Sequence, residues 1–140
     1  MNMVIPDEGK ILALERWLAP DVTTGEDWHV KLYVNNYTPD DSSTSSSFTE
    51  STATGYLQFV ITESNWGTAT ITGHVAFCTS AVVPTYTCTG GSPQTIYGWY
   101  ALGATTGKVL AAQKFDSPHT FGPGTTEVLN PPTVAFKTYA

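Results

Sequence analysis

The sequence predicts an all-β fold: an antiparallel two-sheet sandwich, jelly-roll-like, with one short N-terminal helix. Three observations point there. Only one stretch of the 140 residues carries helical periodicity, and the rest breaks into short period-two runs divided by Gly, Pro and Asn. Charged residues make up 13% of the chain, about half the ~25% usual in globular domains. Thr, Ser, Gly and aromatic residues fill the difference, and β-branched and aromatic side chains suit a pleated, half-buried surface. The length fits one domain, 1–140, which can bury roughly two-thirds of its unfolded surface without a metal or disulfide staple.

The elements follow in chain order. Residues 1–20 form an N-terminal arm and helix. Ile11, Leu14, Trp17 and Leu18 recur at helical spacing, Leu12 widens the stripe, Asp7 can cap the first turn and Pro20 stops the last. From Trp28 to Val34 the period becomes two. Trp28, Val30, Leu32 and Val34 face one way, while His29, Lys31 and Tyr33 face a wetter side. Residues 35–50 then form a Ser/Thr-rich loop, expected to be solvated and mobile. Further strands are expected at Gly55–Thr62, Thr68–Thr72, His74–Thr79, Thr95–Ala101, Lys108–Phe115 and Thr133–Thr138. Turn chemistry separates them, and the best hairpin signal joins Thr95–Ala101 to Lys108–Phe115 through Gly103–Gly107.

Charge narrows the range of partners. Six Lys and Arg against twelve Asp and Glu give a net charge of -6, with no basic stripe, which argues against direct nucleic-acid binding. The first eight residues offer no basic n-region and no long apolar h-region, and runs such as Ala81-Val82-Val83 are too short to span a bilayer. The expectation is a soluble product, made in the cytoplasm, without membrane contact.

Motifs for chemistry are missing. The chain has no G-x-S-x-G, no phosphate-binding Gly-rich loop, no H-E-x-x-H and no H-x-H pair, and His29, His74 and His119 are widely spaced. The acidic pairs Asp7-Glu8, Glu26-Asp27 and Asp40-Asp41 fall at a helix start or in loops, where they suit solvated charge better than a catalytic carboxylate pair. No catalytic residue, metal ligand or cofactor is expected. Cys78 and Cys88 are either two free thiols in a reducing compartment or a bridge formed later, dispensable to the fold. Tyr97 and Trp99 fall on one face of one expected strand, with Tyr86 nearby in sequence. If exposed they form an aromatic platform for host glycans, and if buried they fill the core.

A resemblance extends this reading. Leu32-Tyr33-Val34-Asn35-Asn36-Tyr37-Thr38-Pro39-Asp40 resembles a segment of small structural proteins of tailed bacteriophages. Pro6-Asp7-Glu8-Gly9-Lys10 is similar to that group's opening. Ile96-Tyr97-Gly98-Trp99-Tyr100, followed by Gly107-Lys108-Val109-Leu110-Ala111-Ala112-Gln113-Lys114-Phe115, is similar to its hairpin. The loop near Gly124 and the closing Val134-Ala135-Phe136 also fit. Thr79–Ser92 departs from the pattern and looks like an inserted loop. The resemblance implies a non-catalytic virion protein, synthesised in the host cytoplasm. Its first form is a head decoration (cement) protein on the major capsid protein, and a tail or neck component bound to other virion proteins is the nearest variant. The residues themselves predict a homo-oligomer: Lys is scarce, the uncharged run Thr68–Thr72 offers an open sheet edge, and the apolar arm and helix, through Val4, Ile5, Leu14 and Trp17, are the expected partner interface.

Overall fold

The computed structural model describes residues 3–18, 25–73 and 75–137, with backbone alone at 14–18 and 136–137. The elements are α1 (Asp7–Leu18), β1 (Trp28–Tyr33), β2 (Phe59–Ile61), β3 (Thr70–Thr72), β4 (Val75–Thr79), β5 (Thr85–Thr87), β6 (Gln94–Gly103), β7 (Val109–Phe121), β8 (Thr126–Val128) and β9 (Thr133–Lys137). All pairings are antiparallel: a four-stranded sheet β2-β1-β6-β7, a three-stranded sheet β3-β4-β9 and the pair β5-β8. The fold is therefore the expected all-β one with a single short α-helix among the described residues.

Alternation builds the first core. Val30 and Leu32 of β1 stand opposite Ala101 and Trp99 of β6, and Ala101 stands opposite Ala111 of β7. Because opposed residues share a face, these side chains converge in one cluster, closed from the other side by Ala53, Tyr86, Cys88 and Leu129. The covering layer is a two-stranded ribbon broken at prolines. β5 pairs with β8, Leu129 N–H donates to the Pro84 carbonyl at 2.9 Å, Ser80 N–H donates to the Pro132 carbonyl at 2.9 Å, and β4 then pairs with β9. Proline has no N–H to give a ladder, so Pro84, Pro131 and Pro132 interrupt this ribbon without ending it.

Two expectations are corrected here. Thr79–Ser92 is no inserted loop: it holds β5, whose alternation drives Tyr86 and then Cys88 into the core. The far face of the main sheet is also not wet. Tyr33, Tyr100, Val109 and Ala112 form a second core on that side, covered by Phe48 from the Ser/Thr-rich loop. Phe48 stacks on Tyr100 at 4.5 Å between centroids and meets Tyr33 and Tyr37 edge-on.

The loop is tied down, not loose. Asn35 brackets it, its amide donating to the Ser47 carbonyl at 2.9 Å while its carbonyl oxygen accepts the Thr49 N–H at 2.8 Å. Asp40 Oδ1 accepts the Ser42 hydroxyl at 2.8 Å and the Ser42 N–H at 2.9 Å, and the Tyr37 and Ser43 hydroxyls pair at 2.8 Å. The Ser42 hydroxyl is the chief reason that the Asp40 carboxyl titrates below the usual aspartate range. Lys31 and Glu50 close the loop's base at 2.9 Å.

The β6–β7 turn, the clearest hairpin in the sequence, is held from below by a buried carboxylate. Glu26 accepts the N–H groups of Thr105 and Thr106, each at 2.9 Å, and the Thr106 hydroxyl at 2.8 Å. A Cβ on Gly103 would overlap that carboxylate, so a larger residue there has to push Glu26 away from the turn it holds.

Candidate functional site

The arm and α1, expected to await a partner, are already engaged within the chain. Val4 forms an antiparallel bridge with Ala112: its N–H donates to the Ala112 carbonyl at 2.7 Å and its carbonyl accepts the Ala112 N–H at 2.8 Å. Met3 packs against the first core, and Val4 and Ile5 are half-buried. The arm thus covers part of the outer edge of β7, and edge pairing is its physical role here. Leu14 and Trp17 lie in α1, but their side chains fall outside the described residues.

The first turn of α1 is fixed to two neighbours. Glu8 Oε1 accepts the Val109 N–H at 2.6 Å, and Gly9 lies so close to the Val109 carbonyl that a Cβ would sit 2.6 Å from it. Lys10 bridges Asp7 at 3.0 Å and Asp41 at 2.7 Å, joining helix and loop. The Asp41 contact is the main cause of the raised Lys10 pKa. Sequence reading missed both anchors, because pairing of Glu8 and Asp41 across the fold leaves no local pattern.

The aromatic platform is overturned. Tyr86 is 2% exposed and Trp99 4%, so both fill the first core. Tyr86 donates its hydroxyl to the Val30 carbonyl at 2.9 Å and stacks on Tyr56 at 5.7 Å. Tyr97 packs on the second core, across the sheet from Trp99. The reason is a register shift between Ile96 and Gly98. Ile96 pairs with His119 but Gly98 with Lys114, so the alternation breaks across this irregularity and two positions expected on one face are separated.

The cysteines are unbridged. Cys78 in β4 donates its thiol to the Gly67 carbonyl at 2.9 Å, whereas Cys88 is fully buried in the first core and points to the Gly90 carbonyl at 3.4 Å. They belong to different parts of the broken ribbon and find different partners.

Of the histidines, His29 contacts the Gln58 amide at 3.2 Å and His74 lies outside the described residues. His119 pairs with Glu127 at 2.8 Å and stacks on Phe115 at 4.5 Å, beside an open cleft of about 170 Å³ that also touches Trp99, Gln113 and Asn130. No side-chain hydroxyl or thiol lines this cleft. The volume is also below the ~300–1,000 Å³ of ordinary ligand pockets. Among the described residues no three His, Cys, Asp or Glu side chains gather as a metal site, no buried polar side chain lacks a partner, and no helix is long and apolar enough to cross a membrane.

What remains unusual is the sheet β3-β4-β9. None of its described residues is buried or belongs to either core cluster, and Ile71 on β3 is 75% exposed. No Asp, Glu, Lys or Arg occurs between Glu63 and Lys108, so β3 and β4 are without formal charge. β9 adds one charge, Lys137 opposite Val75, so the uncharged part of this open sheet is β3 and β4, whose Thr, Ile, Val, Ala and Phe residues suit contact with another neutral surface. No family model matches the chain, and no curated protein matches it.

Proposed function

We propose that this chain is a non-catalytic structural protein of a tailed-phage particle, acting first as a head decoration protein that binds the capsid surface. The observation that carries the reading is spatial. Four of the segments that resemble phage structural proteins are apart in sequence yet pack together, while the loop near Gly124 and Val134–Phe136 of β9 lie outside that framework. Leu32 and Tyr33 close β1, Ile96–Tyr100 lies in the adjacent β6, Gly107–Phe115 leads into and runs along the next strand β7, and Pro6–Lys10 is anchored on β7 through Glu8.

The physics of the surface agrees with the role. A decoration protein works by many repeated weak contacts, so avidity replaces a deep binding site. A folded domain that commits Tyr33, Phe48, Tyr86, Trp99 and Tyr100 to two cores, and keeps the uncharged strands β3 and β4 open, is suited to such contacts. Tail or neck placement remains the variant within the same class. The partners are then coat or other virion proteins and copies of the chain itself, with no direct role for nucleic acid or membrane. The experiment is quantitative mass spectrometry of gradient-purified particles from the phage that encodes the chain. Many copies per particle, in fixed ratio to the coat protein, are expected. Particles free of the chain overturn the proposal.

A further inference from the structure

We propose that β3 is a self-pairing edge, through which two copies of this chain join their three-stranded sheets into one continuous six-stranded sheet in solution. The placement comes first. β3 is the outer strand of β3-β4-β9, so one side of its backbone has no partner within the described residues. Thr70, Ile71 and Thr72 are all exposed. Natural edges are usually blunted by Lys, Pro, a bulge or a covering segment. The chain uses such protection elsewhere, where Val4 bridges the outer side of β7. On β3 it uses none.

The occupant follows from charge and symmetry. Each copy carries a formal charge of -6, so two copies repel unless they meet where charge is absent. The stretch from Ser64 to Gly107 is such a place, and β3 and β4 lie within it. A basic partner would gain nothing from this edge, because no carboxylate stands on it. A two-fold contact must also be self-complementary. Antiparallel pairing of β3 with its own copy, centred on Ile71, sets Ile71 against Ile71 and Thr70 against Thr72 on both sides of the axis. Thr–Thr and β-branched cross-strand pairs are favourable in such ladders. Next to this edge Thr72 stands opposite Val75, and Gly73 takes a left-handed conformation (φ 56°) of the kind tight hairpin turns use.

The inference concerns the purified chain and stands apart from any role in a particle. Sedimentation velocity of the full chain at up to about 100 µM is expected to show a dimer whose population follows mass action. Ile71→Lys places two like charges against each other at the axis and weakens dimerisation by on the order of a hundredfold. Leu57→Lys, at a residue 79% exposed outside β3, leaves it unchanged. In a Cys78→Ser background, Ile71→Cys is expected to give disulfide-linked dimers under dissolved oxygen, because the axis brings position 71 against itself, and Leu57→Cys is not. This arm decides the matter should Ile71→Lys fail to fold. A chain that stays monomeric, a dimer that survives Ile71→Lys, or crosslinking at 57 in place of 71 overturns the proposal.

Discussion

A methyl group at Gly98 would collide with the Gln113 carbonyl and approach the Tyr33 hydroxyl to 2.6 Å. The position sits where β1, β6 and β7 run side by side, so neither neighbour has room to yield. Gly98→Ala should lower stability by about 1–3 kcal/mol, the usual cost of overpacking, read from urea unfolding. The neighbouring tyrosines make a second prediction. Burial raises the pKa of Tyr33, Tyr56, Tyr86 and Tyr100 above the ordinary value of 10.0. A group whose folded pKa is raised gives stability that is full below its unfolded pKa and is lost as pH climbs toward the folded value. The fold should therefore hold to about pH 10 and weaken above it, and the 295 nm absorbance of these four phenols should rise together with unfolding. Smooth titration of all tyrosines in a folded protein would contradict their burial. At this scale the sequence showed which way Val30 and Leu32 face, since alternation alone decides it. It could not show that Tyr97 and Trp99 part: Gly98 between them is the local sign of an irregular strand, and a lone glycine does not say how the register shifts.

Among the elements, α1 and the β6–β7 hairpin were the most legible, each having a strong period and clear stop residues. β5 was missed although Thr85-Tyr86-Thr87-Cys88 alternates, because Pro84 and the Gly90-Gly91 pair made the stretch look like loop. The Ser/Thr-rich segment misled for another reason: one aromatic residue, Phe48, outweighs its polar neighbours once it reaches Tyr100. Phe48→Ala should cost about 3–5 kcal/mol, as for other large-to-small core changes. It should also open the Ser42–Ser47 stretch to proteolysis while the wild-type loop resists. Cleavage of both at one rate would mean that Phe48 does not hold the loop. The arm has a similar test. Deleting Met1 to Ile5 removes the two backbone hydrogen bonds to Ala112 and the contact of Met3 with the first core. A loss of about 2–3 kcal/mol is expected from these bonds and the lost apolar burial. Unchanged stability would return the arm to the role of a free docking strand.

For the whole molecule, composition foretold the fold class better than the site. Low charge with much Thr and Tyr announced sheets, but it did not reveal that two uncharged strands, β3 and β4, would lie together outside both cores. That depends on where the broken ribbon β4-β5 and β8-β9 leaves the main sheet, which is a property of the assembled chain. The candidate surface was legible only as the uncharged run Thr68–Thr72. The arm, helix and aromatic residues first considered for it are, where described, engaged in holding the fold. The proposed role joins these features: two aromatic cores for rigidity, an acidic net charge for solubility, and the uncharged strands β3 and β4 for contact. A cryo-electron map of the intact phage particle tests that account most directly. The account predicts density for this fold in many symmetry-related copies on the particle, with β3-β4-β9 buried in a contact between subunits. A particle without the chain, or a chain seated there with that sheet open to solvent in every copy, would contradict it.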